Sequence, residues 1–354
     1  MPNQRDIARA LGVNQATISL ALRGDRSISE EMKRRVRETA ARLGYRPNAY
    51  VSSLMTHIRA GRRPSEKGVI AMLVEARSEK EWHQIESYRI FQEGIVNRAA
   101  ELGFLVQCFF LRAPGMDAPS IDRILEARGI KGIILAPPYR GNRELDIRWE
   151  RYACVGMGHA WEPQQFDRIA NDHAQNVLIA FDELSRIGYR RIGLLLGGAS
   201  AVGGKGLKWL NGFLQVQQQL PPARRVPLFP HGMHPHALQK FERWFHRCRP
   251  DVLLSGSGRE QSFLDALGVR VPEDIGMACL VRPKNSAFAG VDEKNEIIGA
   301  TAVELLASQI ARNEFGPPRH PKLTLIDGRW VDGPSAPGTH RDELARDCLY
   351  QQPR

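Results

Sequence analysis

Apolar residues near the start of the chain recur at helical spacing. Ile7, Ala8 and Leu11 share one face, Asp6 stands near the start of that helix, and Gly12 follows as a stop. A second amphipathic segment, "QATISLALRG", turns Ile18 and Leu22 inward. Asn14 is placed to cap it and Gly24 to end it. The third, "ISEEMKRRVRETAARLG", begins on the cap residue Ser29, carries Glu30 and Glu31 at its positive end, and ends at Gly44. Met32, Val36, Thr39, Ala40 and Leu43 make its buried face. Two helices joined by a short glycine-containing turn have helix-turn-helix spacing. Beyond "RAGRRPSEKG" the period changes. "GVIAMLVE", "FLVQCFFL", "GIILAPP", "ACVGM", "RIGLLLGG", "DVLLSG", "IGMACL" and "KLTLID" read as strands. Helical patterns at Ser87–Leu102, Ala174–Ile187, "LKWLNGFLQVQQQL", a segment through Leu267, and Glu293–Arg312 alternate with them. Buried apolar strands alternating with helices predict parallel sheets covered on both faces. Two such sets predict two lobes with a cleft beyond the carboxyl ends of the strands.

Charge sharpens this division. Residues 1–63 hold 13 Lys+Arg against 5 Asp+Glu, so +8 of the chain's net +11 sits in its first part. That is the footprint of a polyanion-binding module on a near-neutral body. The 354 residues, 42% hydrophobic and 25% charged, are ordinary for a globular protein. No apolar run approaches the ~18 residues of a membrane span, and "MPNQRDIARA" lacks the apolar core of a signal peptide, so the expected location is cytoplasmic. Five dispersed cysteines without a CxxC fit a reducing compartment. The histidines of "HGMHPHAL" (His231, His234, His236) sit in a proline-flanked loop and are read as solvated, so no metal is assigned. GxSxG, Walker and HExxH motifs are absent, which argues against an enzyme and against a cofactor.

"QRDIARALGVNQATISLALRG" followed by "RLGYRPNAYVSSL" resembles the lactose-repressor family of bacterial regulators. The resemblance implies an all-α helix-turn-helix domain (1–46), a hinge helix and linker (47–66), and an α/β periplasmic-binding-protein-like body (67–335). A tail from 336 to 354 is expected to be disordered and, lacking leucine heptads, not to form a coiled coil. It further implies that the second helix enters the major groove of double-stranded operator DNA. Gln15, Ala16 and Leu20 then face bases, while Asn14, Thr17 and Ser19 address phosphates or their neighbours. A homodimer on a near-palindromic site is expected, with repression the family default. A small-molecule effector in the cleft is expected to modulate DNA affinity. "NDHAQNVLIAFDELSRIGYRRIGLLLGG" and "GVDEKNEIIGATAVELLASQI" are similar to blocks of the family's body.

The chain departs from relatives that bind sugars or purines. Ser255, Ser257 and Gly258 stand where an Asp is usual. Cys279, Leu280 and Val281 replace a Gly-Phe-Asp-like trio. Trp209 occupies the place of an Arg three residues before Gly212-Phe213. An ordinary free sugar is therefore not the expected effector. A regulator whose cleft has lost its ligand is the alternative. Arg77, Trp82, Tyr139, Trp209 and Arg282 fall at strand ends and are the candidate cleft residues.

The joint "YRPNAYVSSL" reads as a fold-on-binding segment. Tyr45 closes the third helix with its hydroxyl in reach of a phosphate, and Pro47 holds Arg46 extended. Asn48 caps "AYVSSLMTH", a helix too short to stand alone in water. Small Ser52 and Ser53 allow two such helices to lie together in a minor groove, with Leu54 wedged into a base step. Leu54→Ala is expected to lower operator affinity and DNA bending while leaving fold and dimer intact. Gel mobility on circularly permuted operator fragments measures both, and an unchanged affinity and bend would sink the assignment.

Overall fold

The structure, a computed structural model, describes residues 4–22, 28–43, 68–116, 118–138, 145–159, 165–196, 204–229 and 237–338. The joint residues Tyr45, Asn48, Ser52, Ser53 and Leu54, the loop residue Tyr139, and His231, His234 and His236 lie outside them. The chain divides into two compact units, Met1–Glu66 and Lys67–Arg354.

The first unit contains α1 (Gln4–Leu11), α2 (Gln15–Leu22) and α3 (Glu30–Arg42). Gly12 ends α1 at φ +65°, a left-handed conformation that costs glycine little. Ile7, Ala8, Ile18, Ala21, Val36 and Ala40 form one buried cluster, so each helix gives its apolar face to the other two. Ser29 caps α3, its Oγ accepting from the Met32 amide at 3.3 Å. Thr39 is buried as the spacing predicts, whereas Leu43 is exposed. Leu43 follows the last residue of α3.

The second unit holds two sheets. The first is ordered β10-β5-β4-β3-β1-β2, with strands Leu323–Ile326, Asp167–Asn171, Ala153–Met157, Gly132–Leu135, Gly68–Val74 and Phe104–Phe110, and every pairing is parallel. The second is ordered β11-β9-β8-β7-β6: Arg329–Val331, Ala289–Asp292, Gly276–Cys279, Val252–Ser255 and Ile192–Leu195. It is parallel except where β11 runs antiparallel to β9. That reversal departs from the all-parallel expectation, and a short Ile326-to-Arg329 connection from the other sheet produces it. Helices in chain order are α4 (Glu79–Trp82), α5 (Glu86–Glu101), α6 (Ala118–Ala127), α7 (His173–Arg186), α8 (Gly204–Gln219), α9 (Ala237–Cys248), α10 (Gln261–Ala266) and α11 (Asn295–Arg312). Each sheet is sandwiched. Apolar residues of α5 and α11 cover one face of the first sheet and those of α6 the other. Residues of α7 and α8 cover one face of the second sheet, and those of α9 and α10 the other.

Strands β5 and β9 and helix α9 escape the sequence pattern. β5 alternates charge with apolar residues (DRIAN), β9 is only four residues long, and α9 follows directly on the histidine-rich loop. The expected tail boundary also moves. Ala336 is buried in the second lobe's core, and the Pro337 carbonyl accepts from the Tyr189 hydroxyl at 3.0 Å.

The tightest packing in the first lobe joins α5 to α11. A Cβ placed on Gly94 would stand 2.1 Å from the Glu296 carbonyl oxygen, and one on Gly299 would stand 2.2 Å from that of Phe91. The two helix backbones therefore touch directly, and neither obstacle is a side chain that can swing away. Gly94→Ala is expected to destabilise the second unit by about 1–3 kcal/mol through overpacking. Chemical denaturation of the full chain measures this, and a stability equal to wild type refutes the contact.

Candidate functional sites: the helix-turn-helix face and the lobe junction

In the first unit, Asn14 Oδ1 accepts from the Thr17 amide at 2.7 Å and from the Thr17 hydroxyl at 2.8 Å. One side-chain oxygen thus satisfies an orphan donor at the start of α2 and fixes the Thr17 rotamer. Gln15, the next residue, is exposed at the helix start, as a base-reading residue must be. Ala16 follows Gln15 directly on the helix, and Leu20, half-buried, lies just over one turn on. Ser19 is buried at 7% exposure, next to Ile18 on α2.

Three crossings join the lobes of the second unit: β5 to α7, β9 to α11, and β10 to β11. Side chains at these crossings make a compact polar cluster at the strand ends. Asn171 Nδ2 donates to the Glu293 carbonyl at 3.1 Å. His173, the first residue of α7, places Nδ1 3.3 Å from Glu293 Oε1. Lys205, at the start of α8, lies 3.3 Å from the same oxygen and 4.8 Å from the centre of the Trp209 ring. His159, just past β4, sets its ring 5.5 Å from that of His173, which meets the Trp209 ring edge-on at 5.7 Å.

The electrostatics follow from burial. Burial alone would raise the Glu293 carboxyl, but Lys205 and then His173 together hold it below the usual carboxylate range. Burial lowers His173 despite Glu293 beside it. Burial also lowers His159, to about 4, against the opposing hydrogen bond with Asn171. At neutral pH the cluster therefore holds an ionised Glu293 beside Lys205⁺ and two neutral imidazoles.

The candidate cleft residues fare unevenly. Trp82 is fully buried in the first lobe's core. It donates Nε1 to the Pro137 carbonyl at 3.5 Å and stacks on Tyr88. Arg77 is exposed, its backbone amide held by Glu81. Arg282 is tied to its own loop, donating to the Phe288 and Ser286 carbonyls at 2.7 and 2.8 Å. Of the four that are described, Trp209 alone reaches the junction, and as a buried side chain (1% exposed) rather than an open wall. His159, His173, Lys205 and Glu293 escaped the sequence reading. Glu293 was legible only as a helix-start acid, and its partner Lys205 lies 88 residues away. Ser255 is buried and caps its own turn, accepting from the Gly258 amide at 3.0 Å.

Comparison with known proteins rests on both units. Residues 4–48 match the family model of bacterial regulatory proteins, lacI family. The N-terminal module is a lacI-family domain. The chain is 26% identical over 194 residues to the HTH-type transcriptional regulator GalR of Lacticaseibacillus casei, a match that spans 54% of this chain and 53% of that protein. It is 22% identical over 371 residues to the HTH-type transcriptional repressor PurR of Escherichia coli O139:H28, covering 94% of this chain and 98% of that one. Among solved structures, the lac repressor dimer bound to operator and the anti-inducer ONPF superposes with a TM-score of 0.53 at 16% identity, over 95% of this chain and 99% of that one. The CelR–cellobiose complex gives 0.52 at 17% identity, over 95% and 100%. At these identities the structures establish the shared fold: a lacI-type helix-turn-helix domain followed by a two-lobed α/β body. Among the described residues, no helix is long and apolar enough to cross a membrane, and no group of three potential ligands could hold a metal.

Protonation of the junction has a definite sign. A histidine whose folded value lies below the ordinary 6.5 binds its proton more weakly folded than unfolded. Its stabilising effect is complete above 6.5 and is lost as the pH falls toward about 4. The melting temperature of the full chain is expected to fall through the upper part of that window, above the carboxylate range, and His159→Gln to flatten the fall. Melts across the window measure both slopes; equal slopes would remove His159 from the account.

Proposed function

We propose that this protein is a sequence-specific transcriptional regulator, by family default a repressor, that binds a near-palindromic operator as a homodimer. A small molecule at the lobe junction would set its DNA affinity. The observation that carries the reading is the lacI-family match over residues 4–48, together with an Asn14-capped α2 that presents Gln15 at its exposed start. Gln15 offers bidentate hydrogen bonding to an adenine edge, and Leu20 and Ala16 offer apolar contact, for example to a thymine methyl. Asn14, Thr17 and Ser19 address phosphates or their neighbours, Tyr45 reaches a phosphate through its hydroxyl, and Asn48 caps a hinge helix that brings Ser52, Ser53 and Leu54 to the minor groove. A single helix-turn-helix buries little DNA, and two modules on a two-fold site supply specific affinity. Residence in the cytoplasm and the absence of catalysis belong to the same reading.

A body that keeps its lobes but no longer responds to a ligand is the second reading. Burial of Trp82 and Trp209 and the self-contained hydrogen bonds of Arg282 favour it, because these side chains are spent on packing. Selection of bound sites from random DNA, with and without cell extract, separates the two.

Binding of the selected site is expected to weaken steeply with salt as condensed counterions are released. Gln15→Ala is expected to cost about 1–3 kcal/mol and to relax preference at one base position per half-site. Fluorescence anisotropy over a salt series checks both, and an absence of salt-dependent DNA affinity would overturn the regulator reading.

A further inference from the structure

We propose that the lobe junction recognises a small organic anion, through a carboxylate or phosphate held by Lys205 and Lys208. The inference rests on the reading of the junction as the effector site and names the chemistry of that effector. Buried polar atoms at the junction lack hydrogen-bond partners among the described residues. Trp209 Nε1 is buried and makes no hydrogen bond, and neither does His173 Nδ1, in a side chain more than nine-tenths buried. His173 Nδ1 faces Glu293 Oε1 at 3.3 Å, and that oxygen too makes no hydrogen bond, so the pair is aligned for neither partner. Lys208 is half-buried one turn beyond Lys205 on α8, and among the described residues it makes no ion pair. Its charge reaches both imidazoles, as does that of Lys205 at His173 and of Arg168 at His159. Opposing these cations is the Glu293 carboxylate. The neighbouring Asp172 is spent on the Gln175 amide as the cap of α7, and Asp292 accepts from the Lys294 amide and pairs with Arg329.

Helix ends reinforce the balance. α8, sixteen residues long, brings Lys205 to the junction at its positive end. α11, eighteen residues long, begins there from Lys294, whose φ of +52° is left-handed and whose side chain provides no cap. A buried indole N–H, a lysine with no ion pair among the described residues and a weakly capped helix start call for a ligand that accepts hydrogen bonds and carries negative charge. A neutral sugar offers no charge to complement Lys205 and Lys208.

The test uses the full chain and two matched probe sets: glucose, gluconate and glucose 6-phosphate; and glycerol, glycerate and glycerol 3-phosphate. Calorimetric titration should detect a charged member binding more tightly than its neutral parent. The carboxylate and phosphate arms tell which group is held. Lys208→Met and Lys205→Met should each weaken that anion about tenfold or more, and Glu293→Gln should strengthen it by removing a like charge. Thermal melts confirm that each variant is folded, and Lys208→Met, which breaks no ion pair among the described residues, keeps the test informative if the others are not. Neutral probes binding as well as their charged partners, no probe binding, or equal anion affinity in wild type and Lys208→Met would overturn the proposal. Affinity for the selected operator, measured without ligand on the same samples, separates the outcomes. If DNA binding is intact but no anion dependence appears, the anion alone is wrong. If DNA binding is absent throughout, the regulator reading fails.

Discussion

The body depends on how three chain crossings are tied to one another. Each crossing leaves backbone groups outside both sheets, where no strand partner is available. They are satisfied from crossing to crossing. The Asp172 amide donates to the Ile326 carbonyl, linking the first crossing to the third. Asn171 donates to the Glu293 carbonyl, linking the first to the second, and the Gly328 amide donates to Asn176 Oδ1 at 2.8 Å. Two lobes built on separate sheets are thus joined by a small polar knot. Whatever repacks that knot changes the angle between the lobes, because the cores on either side are close-packed and move as units.

The same logic explains why α11 is held so firmly. It starts at the second crossing and then runs back along the first lobe, with its backbone against α5 at Gly94 and Gly299. A change felt at Glu293 or Lys294 is therefore passed to a helix that cannot yield locally. Lys294 in a left-handed conformation at this point is a strained residue held by its surroundings, and such residues gather where a structure has a task beyond folding.

The sequence was most legible where partners are close along the chain. Asn14 caps Thr17 three residues on, Ser29 caps Met32, and Gly12 ends α1 in the expected left-handed turn. These are signals within one helical turn, and charge segregation added its weight. Strand runs such as GVIAMLV and ACVGM were equally plain, because strands buried on both faces carry no polar interruption. β5 was invisible for the opposite reason: Asp167 and Arg168 interrupt it, and its place is set by pairing with β4 and β10. The junction failed most completely. Asn171 and Glu293 are 122 residues apart, so no local pattern marks them as neighbours. Aromatic residues at strand ends were chosen as cleft walls, and the fold put Trp82 and Trp209 into cores instead.

This difference has a functional logic. A DNA-reading helix can be specified locally, because its partner is external and periodic. A site between lobes must respond to the relative position of parts that fold separately, so its residues have to come from distant segments. His159 follows a strand of the first lobe, while His173, Lys205 and Trp209 belong to helices packed on the second. Glu293 stands on the strand-to-helix link between the lobes, with its carboxylate beside Lys205 and its carbonyl bound by Asn171. A ligand that drew Lys205 away would leave that carboxylate buried without its cation, a cost that favours a rearranged junction. In the proposed reading, the differential stability of those two arrangements would couple a ligand to the DNA-binding module, typically by about 1–3 kcal/mol.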